Sequence, residues 1–345
     1  MTPGPAEGRL IIGVDIGGTK IAGGLVGDCG EIKSQLRTPM ISDKGTAAGL
    51  GAVSSAIDAV FGHASERSQV RGIGICSPGP LDPKTGVVVN PPNLPCWRNF
   101  PLAAEIAKMF GVPVKIDNDA NGAALAEVRW GAGLGYCNVF YATIGTGIGT
   151  GIVFGGKIYH GRTGAAGEGG HMSIDYRGPR CGCGKPGCIE ALASGPAIAK
   201  RAQAMLATNP RRVSAILDLA SGSIVDVTSE MVGQAFIAGD PVAKEVLLET
   251  VELLSVWLGN VVDMLDPDVL IIGGGVAAML CPLFEEIRDR LPKYCINSRC
   301  QEIPILRARY GADAGIAGGA ALCAEEPSAR LSASGPPASS ASPPA

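Results

Sequence analysis

Long hydrophobic runs are missing from this chain of 345 residues. Its apolar stretches are short and broken by glycine, which excludes a transmembrane span. An excess of positive charge is also missing. With 29 Lys and Arg against 32 Asp and Glu, the formal net charge is −3, and the two signs are interspersed. Nothing in that balance attracts a polyanion, so neither nucleic acid nor a membrane is an expected partner. The opening MTPGPAEGR lacks the apolar core of a secretory signal. Aromatic residues make up only 5%, whereas glycine is abundant at 50 residues. The glycines fall between apolar runs and show no G-X-Y period. That excludes a collagen-like chain and points to a turn-rich α/β globule. The length suffices for a full core and suggests two domains. The 11 cysteines are odd in number and scattered, which fits a reducing, cytoplasmic setting better than a disulfide framework.

Two stretches repeat one pattern. LIIGVDIGGTKIAGGLV (10–26) and VFYATIGTGIGTGIVFGG (139–156) each read as strand, Gly/Thr turn, strand. Further strands are expected at 70–78, 112–119 and 269–275. Helices are expected at 46–62, 101–110, 120–131, 194–207, 228–238, 241–264, 278–291 and 313–324. Pro101 and Asp240-Pro241 give helix-start signals. Strands alternating with helices imply a mixed sheet covered by helices. Residues 1–8 read as a loose arm. The Pro/Ser/Ala-rich stretch 325–345 reads as a disordered tail.

The most specific signal is EGGHMSIDYRGPRCGCGKPGCIE (168–190). It sets His171, Cys181, Cys183 and Cys188 at the spacing H-x9-C-x-C-x4-C. Glycines and a proline between the cysteines let the loop fold back on itself. Four soft ligands on a short loop suit a closed, structural tetrahedral Zn2+ site. A disulfide or a set of buried thiols is the alternative. Glu168 and Glu190 bracket the cluster, so a metal that pins the loop also pins their carboxylates.

The Gly/Thr turns suit phosphate. Asp15 ends the first strand and is followed by Gly17, Gly18, Thr19 and Lys20. Gly145, Thr146 and Gly147 begin the second turn. Successive backbone N–H groups in such turns cradle anions, and Asp15 is placed to hold Mg2+. A Gly-rich hairpin on its own is more often only a tight turn. GIVFGGKI (151–158) comes close to a P-loop, but Ile158 stands where the metal-reaching Ser/Thr belongs. Gly273, Gly274 and Gly275 follow a strand and read as a nucleotide-contacting turn, with plain helix–strand packing as the alternative. Asp117-Asn118-Asp119-Ala120-Asn121 ends one strand and opens a helix. Capping accounts for one of these polar residues and leaves others for chemistry. Asp119 is the candidate general base for a substrate hydroxyl.

Taken in order, DIGGTK, IGTGIGTG, GEGGH, CGCGKPGC and VLIIGGG resemble the ROK family of repressors, open reading frames and sugar kinases. The resemblance covers about 9–324. It implies the actin-like ATPase (ribonuclease H-like) fold, with two α/β domains around a deep cleft. The smaller domain would be 9–119 plus 311–324, and the larger 120–310 with the zinc-binding loop. It also implies ATP as phosphoryl donor and Asp119 as catalytic base. Asn118, Glu168, His171 and Glu190 would then contact hexose hydroxyls, with Asn93 beside them and Gly79 offering backbone. His171 would serve both metal and sugar, one ring nitrogen to each. SPGPLDPKTGVVVNPPNLPCW and GAAGEGGHM are most similar to the glucokinase versions, which makes glucose the expected substrate. Kinases of N-acetylmannosamine, N-acetylglucosamine, mannose or fructose use similar loops. Gly170 departs from the larger apolar residue of many relatives, which suggests a looser loop or a wider pocket. A homodimer or homotetramer is implied as well. The different-class alternatives are an inactive sugar sensor and a repressor. A repressor needs a helix-turn-helix, and about eight residues before the first strand are too few for one.

Overall fold

The repeated strand–turn–strand pattern dictates the architecture, because each hairpin nucleates one sheet. The computed structural model describes residues 9–65, 67–209 and 212–325. The expected loose ends, 1–8 and 325–345, lie outside them except for Glu325. In chain order the first part contains β1 (Leu10–Ile16), β2 (Lys20–Val26), β3 (Ile32–Pro39), α1 (Thr46–Phe61), β4 (Val70–Ser77), β5 (Leu81–Asp82), β6 (Val87–Val88), α2 (Leu102–Phe110), β7 (Val114–Asn118) and α3 (Asp119–Trp130). The second contains β8 (Val139–Ile144), β9 (Ile148–Phe154), β10 (Lys157–Ile158), α4 (Ile189–Ala193), α5 (Gly195–Thr208), α6 (Ala215–Leu219), α7 (Ser229–Ile237) and α8 (Pro241–Leu265). It continues with β11 (Val269–Gly273), α9 (Gly275–Leu280), α10 (Phe284–Arg290), β12 (Ile305–Arg307) and α11 (Ala314–Cys323).

The strands form two five-stranded sheets, ordered β3-β2-β1-β4-β7 and β10-β9-β8-β11-β12, with β5 and β6 as a separate short pair. Each large sheet has an antiparallel meander of three strands followed by two parallel strands. The central strands β1, β4, β8 and β11 are buried almost throughout, which is why they read as continuous apolar runs. The edge strand β3 alternates between half-buried and exposed residues and carries Lys33 and Arg37. Polar edges of this kind resist edge-to-edge pairing and leave little apolar signal to read.

The expected helix over 278–291 is two helices. α9 begins earlier, at Gly275, and ends at Leu280. A single tight turn over Cys281–Leu283 precedes α10. Pro282 lacks the N–H that a continuous helix needs. The short α4 and α6, the small strands β5, β6, β10 and β12, and the whole of β3 have no counterpart in the sequence reading.

Helices α3 and α11 cross where Gly122 meets Gly318. A Cβ on Gly318 would lie 2.6 Å from the Gly122 carbonyl carbon, so the two backbones touch. α11 lies equally close on the first sheet: a Cβ on Gly13 would fall 1.9 Å from the Ile316 oxygen. Even one added methyl in such contacts forces backbone shifts costing roughly 1–3 kcal/mol. This tight joint brings the carboxyl end of β7, the start of α3 and strand β9 together. Among the described residues no helix is long and apolar enough to cross a membrane.

Candidate active site

In the first sheet the parallel register sets Asp15 of β1 beside Cys76 of β4, and Cys76 beside Asp117 of β7. Parallel strands expose their carboxyl ends along one rim, where α/β sheets receive ligands. Past that rim the chain turns into α3. Asn118 caps the helix, its Oδ1 accepting from Ala120 N at 2.9 Å, and Asp119 Oδ1 accepts from the same N–H at 2.8 Å. Asp117 is buried and fully engaged. Its Oδ1 accepts from Asn118 N at 2.7 Å and Asn121 Nδ2 at 3.0 Å, and its Oδ2 pairs with His160 Nε2 at 2.6 Å. Capping therefore uses Asn118 and one oxygen of Asp119.

Asp119 opens on a cavity of about 460 Å3, whose walls include Gly79, Asn118, Asn121, Thr150 and Glu168. Water reaches the carboxylate from the cavity while protein encloses its other sides. That loss of solvation raises its pKa, and Glu168 adds to the rise. The Ala120 N–H and the Asn118 side chain oppose it. Asp15 is pushed up to about 6, first by burial and then by Asp119, against the pull of Lys20 and Arg37. Two carboxyls at one rim, both reluctant to ionise alone, form a place where a cation or a transferable proton is favoured.

The first Gly/Thr turn is closed by Gly17 N donating to Lys20 O at 2.8 Å. Gly18 lies so close to Asn93 that a Cβ there would be 2.8 Å from the Asn93 oxygen. Asn93 thus sits against the turn, and Pro92, not Asn93, reaches the cavity wall. In the second turn Gly145 N donates to Gly147 O at 2.9 Å. Gly145, Thr146 and Gly275 line a second cavity of about 310 Å3 with Ser229 and Glu230. A third, of about 250 Å3, continues along α7 past Gly233 and Met279. Gly273 and Gly274 are not on these walls. Gly274, at φ 87°, packs under the Ile144 carbonyl, which a Cβ would approach to 2.3 Å. Ser229 and Glu230 escaped the sequence reading because Thr228-Ser229-Glu230 shows only a helix start, and Thr228 does cap α7.

The Cys/His loop is assembled as its spacing implied. One ligand atom from each of His171, Cys181, Cys183 and Cys188 lies within 4.8 Å of the others. Cys183 Sγ and Cys188 Sγ are 3.6 Å apart, and Cys181 Sγ is 3.5 Å from His171 Nδ1. Those spacings are far beyond an S–S bond of about 2.05 Å. They match the edges, roughly 3.5–3.8 Å, of a tetrahedron with Zn–S near 2.3 Å and Zn–N near 2.0 Å. The donor set therefore fits Zn2+. His171 turns Nδ1 to the cluster, leaving Nε2 for another partner. Glu190 ties the loop to the second turn: its Oε2 accepts from Ile148 N at 2.9 Å, and its Oε1 is 3.9 Å from His171 Nδ1. Of the expected sugar contacts, Gly79, Asn118, Asp119 and Glu168 share the large cavity, while His171 and Glu190, at the Cys/His cluster, are not on its walls.

Gly170 does not widen the cavity. It is buried against β9, and a Cβ there would lie 1.8 Å from the Ile148 carbonyl oxygen. The missing side chain is replaced by close backbone contact, and the adjacent Gly169 is held by Trp257 Nε1 and Thr150 Oγ1 at 3.1 and 2.8 Å.

Comparison with known proteins decides the lineage. The model of the ROK family matches residues 11–326. The chain belongs to the ROK family. A glucokinase of Streptomyces coelicolor is 33% identical over 318 residues, covering 92% of this chain and 98% of that protein. The crystal structure of a ROK glucokinase from Streptomyces griseus, in complex with glucose and AMPPNP, superposes with a TM-score of 0.77 at 34% identity. It covers 91% of this chain and 98% of its own. An N-acetylmannosamine kinase of Escherichia fergusonii is 30% identical over 317 residues, 91% of this chain and 98% of that protein. The ROK fold is the actin-like ATPase fold, and the two sheets of matched topology are its signature here.

Proposed function

We propose that this ROK protein transfers the γ-phosphoryl group of ATP to the C6 hydroxyl of glucose. The observation that carries the reading is Asp119. Its carboxylate is anchored through one oxygen at the start of α3 and lines a cavity of about 460 Å3. The glucokinase relatives, matched over nearly their whole length, support the choice of reaction.

Glucose binds in the large cavity against Gly79, Asn118, Asp119 and Glu168, with His171 Nε2 and Glu190 approaching from the metal side. ATP lies with its phosphates between the turns at Asp15–Lys20 and Gly145–Gly147 and its nucleoside toward Gly275, Ser229 and Glu230. Asp119 takes the proton from the C6 hydroxyl, the oxygen forms a bond to the γ-phosphorus, and the bond to the β–γ bridging oxygen breaks to release ADP. A raised pKa suits this exchange, because a carboxylate nearer neutrality holds the proton better. Asp15 would hold Mg2+, which neutralises phosphate charge when bound. His171, Cys181, Cys183 and Cys188 would hold a structural Zn2+ that pins the loop ending in Glu190, whose carboxylate accepts from Ile148 N at the second turn. The smaller domain (9–119 with 311–324) closes on the larger (120–310), and closure excludes water from the phosphoryl group.

The test is an ADP-release assay with MgATP and glucose, mannose, fructose, N-acetylglucosamine and N-acetylmannosamine side by side. The expected outcome is a kcat/KM for glucose at least tenfold above the others. Preference for an N-acetylated sugar would move the substrate while keeping the mechanism. No turnover with any of them would overturn the kinase reading in favour of a sugar sensor.

A further inference from the structure

The run Gly145–Gly151 spells Gly-Thr-Gly twice, and only the first copy lies in the second turn. The other copy, Gly149-Thr150-Gly151, falls inside β9, where side chains alternate between two faces. One face takes α3. A Cβ on Gly149 would lie 3.3 Å from Ala120 Cβ, and one on Gly151 would lie 2.7 Å from the Ala120 oxygen. The other face takes the segment 167–170. A Cβ on Gly169 would lie 2.8 Å from Thr150 Oγ1, and Gly167, at φ 88°, is so placed that a Cβ would lie 3.1 Å from the Thr150 carbonyl oxygen. Strand β9 is therefore held between the helix that begins with Asp119 and the segment that carries Glu168. Both acids line the large cavity, and the charge of Glu168 contributes to the raised pKa of Asp119.

Glu168 has the one side chain in the segment Gly-Glu-Gly-Gly, so the backbone around it decides where its carboxylate goes. Thr150 grips that backbone on both sides. Its hydroxyl donates to the Gly167 oxygen and accepts from Gly169 N at 2.8 Å. Both functions of one hydroxyl are thus spent on the peptide groups that flank Glu168. The residue is only 4% exposed. From α8, Trp257 Nε1 donates to Gly169 O at 3.1 Å, and Glu168 O accepts from His171 N at 3.0 Å. Removing the hydroxyl would deprive the buried Gly169 N–H of its acceptor, which costs more than the bond itself contributes.

On the reading of the large cavity as the sugar site, on which this role rests, we infer that Thr150 is a positioning residue for the sugar: its hydroxyl sets the backbone on both sides of Glu168 so that the carboxylate meets the sugar hydroxyls beside Asp119. Precision of this kind comes from a support that is itself packed and hydrogen-bonded. Thr150 sits in a strand with α3 on its other face, so Glu168 and Asp119 are referred to one rigid element. Thr146, from the first copy of the repeat, lines the second cavity instead. One repeat thereby serves both substrates, each copy at its own cavity. Loss of the Thr150 hydroxyl acts on sugar affinity and spares the nucleotide.

The test compares the full-length wild type with Thr150→Val, which removes the hydroxyl and keeps a β-branched shape suited to a strand, and with Thr150→Ser, which keeps the hydroxyl. Amide hydrogen exchange over 167–170 is read without ligand. Faster exchange in Thr150→Val, with Thr150→Ser near wild type, is expected, and unchanged exchange overturns the clamp. Glucose affinity is then measured by calorimetry, and KM for glucose and for MgATP by ADP release. Glucose affinity should weaken about tenfold in Thr150→Val, the scale of a buried donor left unsatisfied, with KM for MgATP within about twofold of wild type and glucose affinity restored in Thr150→Ser. Unchanged glucose affinity, or equal losses for glucose and MgATP that Thr150→Ser does not restore, overturns the positioning role. A wild type that binds no hexose overturns the sugar reading of the cavity, and with it the role of Thr150 toward sugar, while the exchange arm still decides the clamp.

Discussion

The two Gly/Thr turns occupy equivalent places in two sheets of the same strand order, yet they are held in different ways. The first carries its own charges, Asp15 before it and Lys20 after it, and packs on the backbone of Asn93. The second has no charged residue of its own. Its flank is fixed from outside by Glu190, a residue at the end of the Cys/His loop, which accepts from Ile148 N. The first sheet has one helix between its meander and its next strand. The second has the Cys/His loop and five helices at the same point. Repeating a scaffold supplies two Gly/Thr turns, and what is inserted into one copy makes them unequal. The first turn carries charge of its own, and the second is a neutral turn braced by Glu190 from the Cys/His loop.

That contrast can be broken at the point between the turns, at the brace, and at the charged turn. Asp119→Asn strikes the point between them. Turnover should fall about 10²–10⁴-fold with glucose affinity within roughly twofold of wild type, the range for losing a general base. Near-normal kcat in a stopped ADP assay would remove Asp119 from that role. Cys183→Ser strikes the brace. Metal analysis should find the zinc lost and glucose affinity about 10–100-fold weaker, as when support around a metal site is removed. Full zinc content with unchanged affinity would mean that the second turn stands without it. Gly170→Leu attacks the same brace by crowding. With a Cβ placed 1.8 Å from the Ile148 oxygen, destabilisation of roughly 1–3 kcal/mol is expected in denaturant unfolding. An unshifted midpoint would show that the loop lifts off β9 freely.

The smallest effect concerns the first turn and depends on pH. Burial pushes the Asp15 carboxyl up to about 6 in the folded protein, from an ordinary value of 3.8. The native state therefore binds more protons than the unfolded state between those values. Stability of the unliganded protein should fall as pH rises from about 4 to about 6 and level off above. Asp15→Asn should lose that component, leaving the variant more stable than wild type at pH 7 by roughly 1 kcal/mol, because water in the cleft screens the charge. It should also lose Mg2+-dependent nucleotide affinity. Thermal melts at a series of pH values decide it: a wild-type profile with no fall over that interval would show that Asp15 ionises without cost.

Much of the scaffold was legible from local pattern. Both hairpins, the buried strands β4 and β11, the edge strand β7 and the long helices with proline starts follow from apolar runs, turn residues and caps that act over a few positions. β3 was not, since an edge strand of alternating Lys, Ser, Gln and Arg has no apolar face to display. The break between α9 and α10 was readable in principle from Pro282, but the apolar periodicity on either side masked it. At the site, the Cys/His spacing predicted the ligand cluster, whereas capping, expected to take one polar residue of the run 117–121, engages both Asn118 and Asp119. Gly170 was expected to loosen the loop or widen the pocket, and the widening fails because a glycine reports a missing side chain without saying what fills the space, which here is the backbone of Ile148.

By itself the sequence determined where phosphate-sized turns form, which side chains gather into a soft-ligand cluster and which strand ends in carboxylates, because each depends on neighbours within about twenty residues. Only the tertiary structure decided which of these meet. Asp117 finds His160 across 43 positions, Ile148 finds Glu190 across 42, and Gly145 shares a cavity with Ser229 and Gly275. The close approach of α3 to α11 between the sheets is a contact of the same long-range kind. That approach rests on backbone contact at Gly122 and Gly318, a long-range packing term that no local periodicity encodes.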